Sequence, residues 1–159
     1  LPTIMKVVEG GGKAVLMSHL GRPKGERVEK LTLASLVNEV SALTGTTVHF
    51  ADDCIGDKAA EAIAAASNGE IVLLENLRYY KEETSGDREF AASLAELGDI
   101  YLNDAFGTAH RAHASTAIIA EFFEEDNKGF GTLMNGEVES ISKALGSDKA
   151  STVARQRWR

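Results

Sequence analysis

Residues 99–115 read DIYLNDAFGTAHRAHAS, a short apolar run followed by a loop that contains two histidines and one arginine. Residues 100–102 have the composition of a buried strand, and residues 116–120 form a second apolar segment beyond the loop. The loop is therefore expected at the carboxyl end of a strand. Ligands of open α/β sheets bind at that edge, so the stretch predicts both a parallel sheet and the place of its site.

Apolar segments of strand length alternate with segments of helical periodicity along the rest of the chain. This alternation predicts a parallel sheet covered on both faces, a three-layer α/β/α doubly wound fold of the Rossmann-like class. Residues 79–87 are predicted to be polar loop. Strands are predicted at residues 13–18, 47–50, 70–74, 100–102 and 129–134, and helices at residues 1–9, 32–43, 57–67, 88–97 and 137–145.

Composition limits the classes of protein to which the chain can belong. With 159 residues and 43% hydrophobic content, the expectation is one globular domain. The net charge of -7 argues against nonspecific binding to nucleic acid or to an anionic membrane. A single cysteine, Cys54, excludes an intrachain disulfide and predicts a small buried side chain in a reducing compartment. We expect a cytoplasmic protein.

Cationic residues follow several of the predicted strands at the point where each strand ends. Right-handed crossovers bring the carboxyl ends of parallel strands to one edge, so these side chains are expected to converge. Guanidinium groups match phosphate or carboxylate oxygens in pairs, which predicts a site for a small anion. The residues concerned are His19 and Arg22, Arg78, and His110, Arg111 and His113, with glycines at Gly21 and Gly107.

Two features of the histidine loop suggest other chemistry. His110 and His113 lie three residues apart, but no third ligand stands at a spacing typical of zinc, so a structural or phosphate-facing role is favoured. Asp104 could be catalytic. A carboxylate directly after a strand more often accepts hydrogen bonds from loop N–H groups or pairs with a nearby arginine, and we interpret Asp104 as an organiser of the loop.

Nucleotide-binding motifs are not found in this sequence. Residues 10–13, GGGK, resemble a phosphate loop, but Ala14 replaces the required serine or threonine and Val7 stands where the first glycine belongs. No G-x-G-x-x-G motif opens a helix after a strand. An anionic metabolite remains the predicted ligand.

Three longer motifs together resemble the N-terminal, 3-phosphoglycerate-binding domain of the phosphoglycerate kinase family. They are SHLGRP at residues 18–23, LENLR at residues 74–78 and NDAFGTAHRAHAS at residues 103–115, and LPTI at residues 1–4 is similar to the helix that precedes them. The resemblance covers residues 1–145. It implies a kinase of glycolysis and gluconeogenesis, usually monomeric, that transfers a phosphoryl group from 1,3-bisphosphoglycerate to ADP and yields 3-phosphoglycerate and ATP.

The resemblance also implies which residues bind the substrate. It places the glycerate-binding segment on His19, Leu20, Gly21 and Arg22, the further guanidiniums on Arg78 and Arg111, and His110 in the same basic patch. Mg-ADP or Mg-ATP is held in the family by a separate C-terminal domain. No catalytic residue, cofactor site or metal site is therefore expected in this chain.

The two ends of the chain depart from the family pattern. The family's opening strand and its transition-state arginine are expected upstream of Leu1. We accordingly predict a glycerate-binding domain over residues 1–136 without its first strand, an interdomain-type helix over residues 137–146, and an unassigned tail over residues 147–159. Such a chain is expected to be inactive alone. The alternative is a non-catalytic anion-binding or interaction module that retains the fold.

Overall fold

The computed structural model describes residues 1–146, and the predicted tail over residues 147–159 lies outside them. None of the helices within residues 1–146 is long and apolar enough to cross a membrane. The strands are β1 Ala14–Leu16, β2 Val48–Ala51, β3 Ile71–Leu74, β4 Tyr101–Asn103 and β5 Lys128–Phe130. The helices are α1 Pro2–Glu9, α2 Val37–Thr44, α3 Gly56–Ala65, α4 Lys81–Ser85, α5 Arg88–Ala95 and α6 Thr132–Gly146. Short 3-10 turns lie at Glu29–Leu31, Leu33–Leu36, Leu77–Tyr79, Phe106–Thr108, Ile118–Phe122 and Glu125–Asn127.

All strand pairs are parallel, which confirms the predicted α/β class. The described strands form two sheets, however, and not the single sheet that was expected. One has the order β1-β3-β2 and the other pairs β4 with β5. The central strand β3 is apolar throughout and buried at every position, as a strand flanked by parallel neighbours requires.

A single buried cluster joins the two sheets. It includes Val72 and Leu74 of β3, Phe90 of α5 and Tyr101 of β4. The phenol of Tyr101 donates a hydrogen bond to the carbonyl oxygen of Ser115 at 2.9 Å, so the core is bonded directly to the end of the histidine loop.

Cys54 is fully buried, as predicted, and its thiol donates to the carbonyl oxygen of Glu75 at 3.0 Å. Burial raises the pKa of this thiol far above its usual range, because a thiolate would lose its hydration. Cys54 is therefore a protonated core residue.

The helix predicted over residues 32–43 is interrupted at its start. A 3-10 turn at Leu33–Leu36 precedes α2, and the buried carboxylate of Glu75 binds the first residues of the segment. Glu75 accepts hydrogen bonds from the hydroxyl of Thr32 at 2.6 Å and from the N–H of Leu33 at 2.8 Å.

The prediction of polar loop over residues 79–87 was wrong. Helix α4 occupies Lys81–Ser85 and ends at Gly86, whose φ of 70° is left-handed. The residue that this helix buries is Glu83. An acidic residue at the inward position gives no apolar periodicity, which is why the helix was missed.

Helix α6 begins at Thr132, before the predicted start at residue 137. Its first N–H groups are bound by side chains that are distant in sequence. The N–H of Thr132 donates to the hydroxyl of Thr3 at 2.9 Å, and that of Met134 donates to Asp104 Oδ1 at 3.0 Å. The predicted domain boundary at residue 136 thus falls inside a helix, and the domain division stays a prediction.

Candidate functional site

The loops after β1 and β3 are held together by the side chain of Asn76. This side chain is fully buried, and its Nδ2 donates to the carbonyl oxygens of Leu20 and Leu31, each at 2.8 Å. Its Oδ1 accepts from the N–H of Arg78 at 3.1 Å. Asn76 thereby fixes the segment that contains His19 relative to the arginine that follows β3.

Arg78 lies half-buried between these two loops. Its Nη1 donates to the carbonyl oxygen of Gly21 at 3.0 Å, and its Nε is buried without a partner among residues 1–146. Burial lowers the pKa of Arg78, the nearby guanidiniums of Arg111 and Arg22 lower it further, and Glu83 opposes them. The charged form of Arg78 is thus disfavoured by its surroundings, a condition that a bound anion would relieve.

The histidine loop brings its cations to the same edge. It leaves β4 through the turn Phe106–Thr108, and the N–H of Arg111 donates to the carbonyl oxygen of Thr108 at 2.9 Å. Nε of Arg111 donates to Nε2 of His110 at 3.1 Å, and both side chains are exposed. The guanidinium of Arg111 and the imidazole of His110 are thus presented to solvent together.

His19 shows that the cations from the three loops are close together. Burial is the main cause that lowers its pKa below 6.5, and Arg78, His113 and Arg111 add to the effect. Each of these neighbours makes a positive charge on His19 unfavourable. The neutral form of His19 is accordingly favoured.

His113 is buried against Glu83 and Ser115 at the base of the site. Nδ1 of His113 lies 3.7 Å from Glu83 Oε1. Glu83 accepts hydrogen bonds from the hydroxyl of Ser115 at 2.7 Å and from its N–H at 3.0 Å. The same residue's carbonyl oxygen accepts from the N–H of Ala114 at 2.9 Å, so α4 holds the end of the loop at three points.

The cations of the site differ from other arginines in their ion pairing. Arg27 pairs with Asp52 and Arg88 pairs with Glu121. Within residues 1–146, no carboxylate forms an ion pair with the three arginines of the site, Arg22, Arg78 and Arg111. The site therefore has positive charge that the described part of the chain does not neutralise.

Every residue predicted to bind substrate lies in this region, although the binding role itself stays a prediction. The backbone carbonyl oxygens of Leu20 and Gly21 accept hydrogen bonds from Asn76 and Arg78. Gly21 adopts a φ of 66°, and the side chain of Leu31 packs against it. The structure brings together the loops after β1, β3 and β4, as the argument from strand ends predicted. The seven residues are His19, Leu20, Gly21, Arg22, Arg78, His110 and Arg111.

Asp104 does not organise the histidine loop, contrary to our interpretation of the sequence. It accepts hydrogen bonds from the hydroxyl of Thr3 at 2.6 Å and from the N–H of Met134 at 3.0 Å, at the starts of α1 and α6. Burial raises its pKa, but these hydrogen bonds outweigh the effect and the pKa is lowered overall. The neighbouring Asn103 anchors the loop instead, donating to the carbonyl oxygen of Thr116 at 2.9 Å and accepting from the N–H of Ala105 at 3.0 Å.

Neither a metal site nor a phosphate loop is present in the part of the chain that the structure describes. Residues 1–146 contain no group of three or more His, Cys, Asp or Glu side chains that could hold a metal ion. In the GGGK segment, Nζ of Lys13 donates to the carbonyl oxygen of Ile63 at 3.0 Å. The N–H of Gly12 donates to the carbonyl oxygen of Val7 at 2.9 Å. These donors are already used within the fold.

Our list of predicted site residues omitted Asn76, Glu83 and His113. Asn76 belongs to the LENLR motif, so its place after a strand was a usable signal. His113 was predicted to converge with the other cations, but the resemblance to the family did not assign it a binding role. Glu83 gave no signal, because an acidic residue in a polar segment is usually solvated and only the packing shows it to be 3% exposed.

Comparison with known proteins agrees with this geometry. The family model of phosphoglycerate kinase matches residues 1–154. The phosphoglycerate kinase of Chlorobium phaeobacteroides is 48% identical over 154 residues, which are 97% of this chain and 38% of the relative. That of Elusimicrobium minutum is 50% identical over 143 residues, covering 90% of this chain and 35% of the relative. The chain thus spans little more than a third of the length of these relatives.

Solved structures lead to the same family. The phosphoglycerate kinase of Coxiella burnetii superimposes with a TM-score of 0.77 at 35% identity, covering 92% of this chain and 35% of that structure. The enzyme of Pyrococcus horikoshii gives a TM-score of 0.80 at 31% identity, covering 93% and 37%. By sequence and by fold, this chain belongs to the phosphoglycerate kinase family.

Proposed function

We propose that this chain provides the 3-phosphoglycerate-binding side of a phosphoglycerate kinase. The reaction is the reversible transfer of a phosphoryl group from 1,3-bisphosphoglycerate to ADP, giving 3-phosphoglycerate and ATP. The observation that carries the proposal is the convergence of Arg22, Arg78 and Arg111 without a carboxylate partner among residues 1–146.

An anionic substrate complements this arrangement. Arginine forks bind phosphate and carboxylate oxygens in pairs, and a glycerate phosphate carries both groups. Each oxygen that binds also opposes the burial and the mutual repulsion that lower the pKa of Arg78. His19 and His110 lie beside the arginines and add imidazole nitrogens at the edges of the site.

Phosphoryl transfer suits a site of this composition. The reaction depends on positioning and on neutralising charge at the transferred group, and it needs little covalent participation by the protein. The seven predicted residues can hold and orient the acceptor oxygen.

The nucleotide is proposed to bind outside this chain. The GGGK segment does not fit ADP or ATP phosphates, since Lys13 is bound to Ile63. Mg-ADP is therefore proposed to bind elsewhere in the protein, and Mg²⁺ would neutralise nucleotide phosphate charge there. A cytoplasmic, monomeric protein is part of the same proposal.

Titration calorimetry of the intact protein with 3-phosphoglycerate tests the assignment. Arg78→Ala and Arg111→Ala each remove a charge-assisted hydrogen bond worth about 1.5–3 kcal/mol, which weakens binding by roughly tenfold to a hundredfold. Arg→Lys at either position should also weaken binding, because the planar fork is lost. Arg88→Ala is the matched control, since Arg88 is exposed and pairs with Glu121.

Two results would contradict the proposal in different ways. Unchanged affinity in both alanine variants would remove these arginines from the binding site. Normal 3-phosphoglycerate binding by an intact protein that shows no turnover with 1,3-bisphosphoglycerate and ADP would favour the non-catalytic anion-binding module.

A further inference from the structure

We propose that Glu83 is a positioning residue of this site, which acts by orienting His113 and by supplying the negative charge that allows His113 to carry a proton when an anion binds. The inference rests on the proposed function, because the anion is taken to be 3-phosphoglycerate. Helix α4, which carries Glu83, lies outside the three motifs of the substrate loops.

The carboxylate of Glu83 is almost completely buried, which is unusual for an acidic side chain. Glu83 is 3% exposed, and burying a carboxylate is costly unless it is fully hydrogen-bonded. Its oxygens accept from the N–H and the hydroxyl of Ser115, and Oε1 also lies 3.7 Å from Nδ1 of His113. These contacts account for both of its oxygens.

The carboxylate lies 3.7 Å from Nδ1 of His113 and so influences which ring nitrogen carries the proton. An ionised carboxylate only accepts hydrogen bonds, so Nδ1 next to it is favoured as the protonated nitrogen. Nε2 is then left on the opposite side of the ring. It becomes a donor to an anion only when the imidazole is doubly protonated.

The charges around His113 come from four parts of the structure. Glu83 faces it from α4, Arg78 from the turn after β3 and His19 from the loop after β1, and its own loop contributes Arg111 and His110. Burial lowers the pKa of His113, Glu83 opposes this effect, and Arg78, Arg111 and His110 lower the pKa further. Glu83 is thus the group that favours the imidazolium in the empty site.

Anion binding and protonation are therefore coupled. A phosphate or carboxylate placed among the arginines adds negative charge near His113 and favours its imidazolium form. By linkage, protonation of His113 must strengthen anion binding by the same factor. Replacing Glu83 by a neutral isostere removes the opposing charge, so that protonation and the accompanying gain in affinity require a lower pH.

The test measures 3-phosphoglycerate affinity from about pH 5 to 8 in the intact protein, together with the pKa of His113 by NMR without ligand. We expect Glu83→Gln to lower the pKa of His113 by about 1–3 units, the range found for loss of a close opposite charge. The pH at which the affinity for 3-phosphoglycerate rises should decrease by the same number of pH units. The ionisation of the ligand's own phosphate is common to all variants and cancels in the comparison.

Two further variants separate positioning from simple support of the loop. Ser115→Ala removes one hydrogen bond to Glu83 without changing its charge, and it should change affinity by the same factor at every pH. His113→Gln should remove the pH-dependent component that Glu83 controls. This variant also tests the inference if Glu83→Gln does not fold.

An unchanged His113 pKa in Glu83→Gln would overturn the inference, as would an affinity loss that is the same at every pH. A wild-type pH profile in His113→Gln would overturn it as well. Failure of the wild-type protein to bind 3-phosphoglycerate would contradict the proposed function instead, and the ligand-free pKa of His113 would still decide whether Glu83 controls its protonation.

Discussion

The side-chain amide of Asn76 donates a hydrogen bond to the carbonyl oxygen of Leu20 at 2.8 Å, which joins two loops across 56 residues of sequence. Its second donor binds Leu31, also at 2.8 Å. Asn76→Leu leaves both carbonyl oxygens without a partner in a partly buried place, and each loss costs about 1–2 kcal/mol, toward the lower end of the fully buried case. We expect the free energy of unfolding, measured with urea, to fall by about 2–4 kcal/mol.

The same variant should also weaken 3-phosphoglycerate binding, because the loop that contains His19 loses its fixed position relative to Arg78. Asn68→Leu is the matched control, since Asn68 is exposed on a turn. A stability for Asn76→Leu equal to that of the control would show that the two hydrogen bonds are not important to the fold.

A second prediction concerns the contact between α4 and the histidine loop at Gly86. Its φ of 70° is left-handed, and an alanine Cβ would lie 2.5 Å from the carbonyl oxygen of Ala112. Gly86→Ala therefore combines backbone strain with a clash that must displace either α4 or the loop. We expect a loss of about 2–4 kcal/mol in the free energy of unfolding, together with weaker anion binding.

Gly45→Ala separates the two costs of that substitution. Gly45 has nearly the same φ, 68°, but a Cβ there would have no heavy atom within 4 Å. In the control, only the left-handed backbone strain should lower the free energy of unfolding, by about 1 kcal/mol, and binding should not change. Equal destabilisation in the two variants would mean that the Ala112 contact relaxes at no cost.

Stability should depend on pH through His19 and His113. Mainly because both imidazoles are partly buried, both pKa values lie below the ordinary value of 6.5, so the unfolded chain binds protons at a higher pH than the native protein. The stabilisation from the neutral histidines is complete above the unfolded pKa and is lost as the pH falls toward the folded pKa values. Urea unfolding between about pH 7.5 and 5 should show the loss.

The slope in that window should be reduced in His19→Gln and reduced further when His113→Gln is added. Carboxyl groups with a lowered pKa, such as Asp52, affect the stability at lower pH, because this pKa lies below 3.8. Saturating 3-phosphoglycerate should oppose the loss, since a bound anion favours the protonated histidines. A double variant with the wild-type slope would show that other groups control the stability in this pH range.

The alternation of apolar and periodic segments was sufficient to predict the parallel strands, because β1 and β3 consist of continuous apolar residues and β2 is apolar except for His49. The edge where the cations lie could also be predicted, since the carboxyl ends of parallel strands share one direction. Local pattern could not predict α4. Its inward residue is the acidic Glu83, and its partners are 30 residues or more away in the sequence.

The role of Asp104 shows the same limit for a residue whose position was predicted correctly. A carboxylate after a strand usually binds its own loop, and that rule failed because α1 brings Thr3 within reach from 101 residues away. The start of α6 was misplaced for the same reason, as its capping groups are not adjacent in sequence. Contacts between distant segments decided each of these cases.

The pairing of Thr3 with Asp104 can be measured by a double-mutant cycle. Asp104 Oδ2 accepts from the Thr3 hydroxyl at 2.6 Å, and that hydroxyl accepts from the N–H of Thr132 at 2.9 Å, so one chain of hydrogen bonds joins the starts of α1 and α6. Thr3→Val and Asp104→Ala should each destabilise the protein by about 1–3 kcal/mol. The double variant should lose less than their sum, with a coupling energy of about 0.5–3 kcal/mol.

A second cycle, between Thr3→Val and Asp52→Ala, is the control. Asp52 binds Arg27 and Lys58 and has no partner in common with Thr3, so the two effects should add within about 0.5 kcal/mol. Coupling in the first cycle alone would establish that the hydroxyl and the carboxylate act as a unit. Additivity in both cycles would mean that Asp104 stabilises α6 through Met134 without Thr3, and the bridge from α1 would then contribute nothing to stability.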